Sequence, residues 1–154
     1  MIEQGAHITD YDVIDYNAWA REGLDGYRKS VSPENFRRIT DLTYNINKDT
    51  EDLRKLYNTP NFKFIKKRLA WNDVVRNFQK PGICDLTINI KLLDNSRSSN
   101  NHRVILLDIT TDEVVFHDSD NKFSGANRRE PLGKFVEAFE SVPDGAELCR
   151  YSLT

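Results

Sequence analysis

Two short apolar runs separated by four polar residues form the most regular part of the hydrophobic pattern. Residues 104–107 with Ile109 make the first run, and residues 114–116 make the second. Two runs of strand length joined by turn-forming residues predict a β-hairpin over residues 101–118. Because the first run is apolar at nearly every position, we expect its strand to be central in a sheet and covered on both faces.

Residues 1–60 carry their apolar positions at mostly helical spacing. Ser, Asn and Asp favour helix starts, whereas Gly and Pro interrupt helices, so these residues divide the segment. The predicted elements are a short strand or extended entry in residues 8–16, a helix from Asn17 interrupted by Gly23 and Gly26, a helix opened by Ser32 and Pro33 with helical spacing to Ile46, and a turn or two of helix over 50–57.

Residues 61–154 alternate apolar and polar positions more often, which predicts a sheet-rich part. The predicted elements are a strand at 62–65, a helix over 72–79 capped by Asn72 or Asp73, a strand over 84–93, the hairpin, a helix opened by Pro131, and a last strand over 146–153. In this order, helices come first and a mostly antiparallel sheet with interleaved helices follows. Such an order is typical of a single α+β domain.

The predicted hairpin brings together two side chains with chemical potential. If the chain turns around residues 110–113, the start of the first strand lies beside the end of the second, so His102 and Asp118 become neighbours. A carboxylate beside an imidazole fixes the tautomer and orientation of the ring, as the orienting member of a catalytic triad does. Polar loops at 94–101 and 119–129 flank this end of the sheet and would give a site there mobile walls.

A structural role for this pair is an open alternative. Histidines are common at strand ends, and Asp after a strand often starts a turn. Asp108 and His117 are the alternatives to either member of the pair. By the two-residue period of a strand, His117 should point to the opposite face from Asp118.

Composition and charge exclude several broad classes of protein. The chain has 154 residues, a formal net charge of −2 and 38% apolar residues, which fits one folded domain with no general attraction to nucleic acid. No stretch approaches the ~18 apolar residues that span a bilayer, and the first ten residues lack the pattern of a signal peptide. With two cysteines, we expect a reducing, cytoplasmic setting without a disulfide scaffold.

Residue spacing gives no support for a metal or cofactor site. The three histidines show neither HxH nor HExxH spacing, and the two cysteines lie far apart. The chain also lacks a glycine-rich phosphate loop and a GxSxG elbow. Asp108, Asp112 and Asp118 do not predict a cation cluster, because Asp112 lies at the far turn of the hairpin. We therefore expect no cofactor and no metal.

The order of these elements resembles the second half of papain-like cysteine peptidases, and most closely the branch that removes leader peptides from bacteriocins. The matching pieces are Lys80-Pro81-Gly82, residues 84–93, residues 102–106, residues 114–118, and Pro131-Leu132 with Phe135. The resemblance covers about residues 72–153, and residues 1–60 only vaguely.

The resemblance implies a papain-like half-barrel with His102 as the base of a catalytic triad and Asp118 as its orienting partner. In the family, the nucleophile is a cysteine at the start of a long helix, upstream of every piece matched here, with a glutamine shortly before it. The chain departs from this pattern, because no cysteine precedes residue 84.

Cys84 is a poor substitute for that nucleophile. The order of Gln79 and Cys84 copies the order in the family, but a reactive thiol gains from a helix N-terminus or a cationic neighbour. The period-two pattern after Cys84 predicts a strand instead, and Cys149 lies inside the predicted last strand. We expect both thiols to be structural and inert.

The residues and the resemblance together leave three hypotheses. In the first, a degenerate papain-like domain keeps the His102–Asp118 pair without a catalytic Cys and binds a peptide or protein segment along an exposed strand edge. In the second, the chain belongs to a working cysteine peptidase whose nucleophile-bearing segment is missing from this chain or supplied by another chain. In the third, the chain is an unrelated α+β protein whose His and Asp are structural.

Overall fold

A seven-stranded sheet organises the chain, and the computed structural model describes residues 5–42, 45–95, 101–118, 126–142 and 145–153. The strands are β1 (Ala6–Asp12), β2 (Phe62–Lys66), β3 (Ile83–Asn89), β4 (Asn101–Ile109), β5 (Glu113–Asp118), β6 (Arg128–Pro131) and β7 (Leu148–Leu153). Across the sheet their order is β2-β1-β7-β3-β4-β5-β6. Within these described strands, β1 and β2 pair in parallel and the other pairs are antiparallel, so the sheet is mostly antiparallel, as predicted.

Six α-helices accompany the sheet in the described ranges. They are α1 (Tyr16–Glu22), α2 (Leu24–Ser30), α3 (Pro33–Leu42), α4 (Ile46–Tyr57), α5 (Trp71–Phe78) and α6 (Leu132–Glu140). The α+β prediction is confirmed. In the part of the chain that is described, no helix combines the length and apolarity that a bilayer span requires.

The main hydrophobic core lies between one face of the sheet and helices α5 and α6. Leu86 and Ile88 of β3 are fully buried on this face, as the alternation of a strand requires. On the helix side, Trp71 meets Phe135 edge-on with ring centroids 5.8 Å apart, and Phe135 in turn packs against Phe116 of β5. We call this side of the sheet the core face.

A second cluster of apolar side chains lies on the opposite side of the sheet, which we call the open face. Its centre is Tyr27, fully buried, with the Trp19 ring 4.3 Å away, and the Trp19 indole N–H donates to Thr50 Oγ1. Phe64 of β2 packs against this cluster and pairs in register with Asp10 of β1. Helices α1–α4 therefore cover the β1–β2 end of the open face.

The prediction that the first hairpin strand is covered on both faces is wrong. Val104 and Leu106 of β4 are buried in the main core, whereas Ile105 and Leu107 are exposed on the open face. The helical layer packs at the β1–β2 end of the sheet and leaves these two side chains exposed. A continuous apolar run therefore does not by itself tell how many faces of a strand are covered.

Several predicted helix boundaries are also wrong, because a different residue caps each helix. Asp15, not Asn17, begins α1, since its carboxylate accepts a hydrogen bond from the Ala18 N–H. The predicted helix to Ile46 ends at Leu42, and α4 begins at Ile46 with Asn45 as its cap. Such caps are worth about 1 kcal/mol each, which is enough to move a boundary by a turn.

In the second half, the differences are smaller. Helix α5 begins at Trp71, and the Asp73 carboxylate accepts a hydrogen bond from the Ala70 N–H rather than capping from the first position. The predicted strand over 84–93 ends at Asn89 and continues as a short 3₁₀ turn, Ile90–Leu92. The predicted polar loops lie partly outside the described residues, at 96–100 and 119–125, and Arg128–Pro131 forms strand β6, which was not predicted.

Two glycines offer a test of the packing between α1 and α2. A Cβ at Gly26 would lie 2.2 Å from the Ala18 carbonyl oxygen, whereas a Cβ at Gly133 in α6 would meet no atom within 4 Å. We expect Gly26→Ala to lower the free energy of unfolding by about 1–3 kcal/mol, as overpacking does. Gly133→Ala should be neutral or raise it by up to about 1 kcal/mol. Urea denaturation measures both, and similar effects of the two substitutions would contradict this close contact.

Candidate functional site

His102 and Asp118 meet at one end of the β4–β5 hairpin. Val104 pairs with Asp118 in the register, so His102 lies diagonally across from the carboxylate. His102 Nε2 and Asp118 Oδ1 are 2.7 Å apart, a distance typical of charge-assisted hydrogen bonds. The side chain of Asp118 is fully buried and that of His102 is 20% exposed. The predicted proximity is confirmed, and the catalytic role of the pair stays a prediction.

The carboxylate of Asp118 binds a defined nitrogen of the imidazole. Since Nε2–H donates to Oδ1, a neutral ring held this way carries its lone pair on Nδ1. A chymotrypsin-type triad uses the opposite arrangement, with the carboxylate on Nδ1 and the base at Nε2. Among the described residues, no hydrogen bond to Nδ1 of His102 is found. Nδ1 is therefore the ring nitrogen available to accept a proton.

The two alternative residues do not join this pair. His117 pairs with Ile105 and so points to the open face, as the strand period predicts. Asp108 lies at a register shift between β4 and β5 and is exposed, and its carboxylate accepts the N–H of the next residue, Ile109. Of the four candidate side chains, the structure brings together only His102 and Asp118.

Neither thiol of the chain lies beside His102. Cys84 is four residues along β3 from Ile88, the partner of His102, which separates them by about 13 Å at 3.3 Å per residue. Cys149 pairs with Asp85 and so faces the other side of the sheet. Both thiols are free and buried, and burial raises the pKa of Cys84 to about 11 and that of Cys149 to about 12. Thiols with such pKa values are poor nucleophiles near neutral pH.

Hard-cation and phosphate sites also lack support in the described ranges. No group of three or more His, Cys, Asp or Glu side chains there could hold a metal ion. Two stretches of the chain are rich in basic residues, at 63–68 and 128–129. Lys67 pairs with Asp73, and Arg128 and Arg129 pair with neighbouring glutamates. These cations are therefore largely neutralised by carboxylates of the same surface.

A second group of titratable side chains lies on the open face, and the sequence analysis missed it. We call it the carboxylate cluster, and its members are Asp10 and Asp12 of β1, Asp85 of β3 and Glu147 just before β7. The Arg103 guanidinium of β4 forms ion pairs with Asp85 and Glu147. In the sequence, this cluster is indicated by the alternation of Ile8, Asp10 and Asp12 along β1, because that spacing places two carboxylates on the same face as a buried isoleucine.

Burial governs the protonation of the carboxylate cluster. It raises the pKa of Asp10 to about 8, with Glu147 and Asp12 adding to the increase. Burial also raises the pKa values of Asp12 and Asp85. Hydroxyl groups partly compensate, since Tyr16 donates to Asp12 and Tyr151 donates to Asp85. Strongly raised carboxyl pKa values mark candidate functional sites as well as structural networks.

Comparisons of the chain with protein-family models, with curated proteins and with solved structures found no match. Function therefore has to be inferred from the residues and the geometry of the chain itself.

The His102–Asp118 pair can be tested through stability. Replacing His102 by Ala removes the imidazole from a fully buried carboxylate, and truncating one member of a buried pair costs about 3–5 kcal/mol. We expect a loss in free energy of unfolding at the lower end of this range for His102→Ala. The matched control is His117→Ala, which should cost less than about 1 kcal/mol. Equal losses in urea denaturation would contradict a coupled pair.

Asp10 should make stability fall as pH rises. Burial raises the pKa of Asp10 from its ordinary 3.8 to about 8 in the folded chain, so the folded state binds more protons than the unfolded state between these values. The contribution of Asp10 is thus fully present below about pH 4 and is lost as pH rises through about 8.

Asp10→Asn keeps the shape of the protonated acid and should remove this dependence. Over that interval, the variant should gain up to about 1.4 kcal/mol per pH unit relative to wild type. Urea denaturation at stepped pH measures the difference, with the exposed Asp112→Asn as control. A difference between Asp10→Asn and wild type that does not change with pH would be the contradicting outcome.

Proposed function

We propose that this chain is a papain-like peptidase domain that lacks its catalytic cysteine and acts as a peptide-binding module. The observation that carries the proposal is the 2.7 Å contact between His102 Nε2 and Asp118 Oδ1. These residues occupy the positions that the resemblance assigns to the base and its orienting partner. The two cysteines of the chain lie in strands, away from the ring.

The order of elements gives the proposal further support. The elements follow one another in the order that the resemblance implies. They are a helix ending before Pro81-Gly82, the strand β3, the β4–β5 hairpin and the helix after Pro131. Mainly helical structure precedes them, apart from strands β1 and β2. The order of elements supports only the fold in this proposal, and the binding function depends on a surface.

Three exposed apolar side chains on the open face form a surface suited to a peptide. We call it the apolar strip, and its members are Ile83, Ile105 and Leu107, which are 56%, 36% and 43% exposed. Cys84 pairs with Leu106 and Asp85 pairs with Ile105, so these strip residues lie side by side on β3 and β4. An extended peptide can lay alternate side chains on such a surface, and contiguous exposed apolar patches mark interaction sites.

Polar groups border the apolar strip. His117 pairs with Ile105 on β5, and Arg103 precedes Ile105 by one strand period, with 42% of its side chain exposed. Apolar contact area with a few polar groups at its border is the usual composition of a recognition surface.

A second candidate function is that of a cysteine peptidase whose thiol comes from outside this chain. The observation that favours it is the state of the His102 ring, which is 20% exposed and accepts no hydrogen bond at Nδ1 from the described residues. A general base requires a free lone pair and a nucleophile within about 2.6–3.2 Å. The ring meets the first condition, and neither cysteine of the chain meets the second.

Fluorescence polarisation with a library of unstructured peptides, apolar at alternate positions, tests the binding function. We expect binding in the micromolar range that weakens at least about tenfold in Leu107→Asp, because the substitution puts a charge into an apolar contact. Leu92→Asp is the matched control, since Leu92 is 39% exposed but lies in the turn after β3. No measurable binding at high micromolar concentration, or equal binding by both variants, would contradict the proposal.

Mass spectrometry of an activated peptide ester, incubated with the chain in the presence and absence of an added small thiol, separates the two candidate functions. A binding module should leave the rate of thiol-dependent cleavage unchanged, whereas a free base at His102 should raise it. Cleavage that persists in the Cys84→Ser, Cys149→Ser double variant and disappears in His102→Gln would instead reveal a base that works with another nucleophile. His102→Gln suits this test because the glutamine amide can still donate to Asp118.

A further inference from the structure

Helix α3 is the least buried of the six described helices. None of its side chains that the structure describes is buried, whereas every other described helix has at least two buried residues. Its hydrogen bonds, from the Asn35 N–H to the Ser32 hydroxyl and from the Thr40 hydroxyl to the Phe36 carbonyl, stay within the helix and its cap. Elements with few buried contacts open at a lower free energy than the rest of a fold.

Contacts with α2 and the apolar cluster of the open face attach α3 to the protein. The Phe36 ring packs on Tyr27 with the ring centroids 5.7 Å apart, and the Arg28 guanidinium lies 4.8 Å from the centroid of the same ring. Ile39 is partly buried against the same cluster. By contrast, side-chain hydrogen bonds join α1 to α4. Phe36 is therefore the main anchor of α3.

A cavity of about 410 Å³ adjoins α3, between the helical layer and the open face. Asp12, Thr87 and Asn101 of the sheet line it on one side. Asn35 and Ile39 of α3 form another part of its wall. The volume falls in the range of about 300–1,000 Å³ that small-molecule sites occupy. The least buried helix of the described chain thus borders a cavity of ligand size.

We propose that α3 is a lid on this cavity, which opens by detaching from α2 while the sheet and the main core stay folded. Val31 lies between α2 and α3 with an extended backbone and provides a hinge. With ten residues, α3 is too short to stay helical in water alone, so the open lid is locally unfolded. Such lids control entry to binding sites. The inference goes beyond peptide binding on the apolar strip and does not depend on it.

Hydrogen exchange of the full chain, followed by mass spectrometry, tests whether α3 opens by itself. We expect its amides to exchange at least about 100-fold faster than those of β3, with a weaker dependence on urea, because local opening exposes little surface. Phe36→Ala should accelerate exchange in α3 about tenfold or more, since it removes the main anchor. The matched control is Ile109→Ala, in the main core. It should accelerate exchange in β3 and leave α3 unchanged, because the core is intact whether the lid is open or closed.

Alkylation of a thiol inside the cavity tests whether the opening gives access to it. Thr87→Cys places a thiol on the sheet side of the cavity, and mass spectrometry distinguishes its label from label on the buried Cys84 and Cys149. With iodoacetamide, we expect labelling at least about tenfold slower than in Asp112→Cys, at an exposed turn. Adding Phe36→Ala should accelerate labelling of the cavity thiol by the factor by which it accelerates exchange in α3.

Either measurement can overturn the proposal. Exchange of α3 with the same rate and urea dependence as β3, or its acceleration by Ile109→Ala, would show that α3 opens only with the whole fold. Labelling of Thr87→Cys as fast as Asp112→Cys, or labelling that does not respond to Phe36→Ala, would show that α3 does not control access. If Phe36→Ala does not fold, Phe36→Leu keeps an apolar contact and should produce the same changes at smaller size.

Discussion

The two-residue period of strand β3 is the constraint on which both candidate sites depend. β3 pairs on one side with β7 and on the other with β4, so Leu86 lies between Leu148 and Val104 in the main core. Its alternate residues, Asp85 and Thr87, therefore face the other way. A register shift by one residue would place a carboxylate in the apolar core and leucine on the open face. That penalty fixes the pairing of β3, and through it the positions of His102 and Arg103 on the neighbouring strand.

The two faces of the sheet use carboxylates in different ways. On the core face, a single fully buried carboxylate, Asp118, meets an imidazole that supplies a donor. On the open face, the Arg103 guanidinium pairs with two of the four carboxylates, Asp85 and Glu147, and burial raises the pKa of Asp10. The first arrangement is a closed pair, whereas the second combines several carboxyl groups with two tyrosine hydroxyls and one guanidinium.

The hairpin and its histidine–aspartate pair were predictable because they depend on local pattern. Turn residues and two apolar runs determine which strand ends meet, and no distant segment is needed. The carboxylate cluster was not predictable in the same way, since Asp10 and Glu147 come together only through the pairing of β1 with β7. Helix starts at Asp15 and Asn45 were missed because several nearby side chains can act as caps. The exposure of Leu107 depends on where the helical layer packs. The periodicity of a strand gives no information about that position.

The pairing of β1 with β7 also sets the order in which the molecule can be completed. Ala6 pairs with Leu153 and Tyr11 with Leu148, so the strand made early during synthesis waits for the strand made late. Until then, β1 can form its parallel pair with β2, and Asp10 lacks the neighbouring Glu147, which comes with β7. The elevated proton affinity of Asp10 is thus a property of the finished sheet alone, and it arises when the last strand closes the gap between β1 and β3.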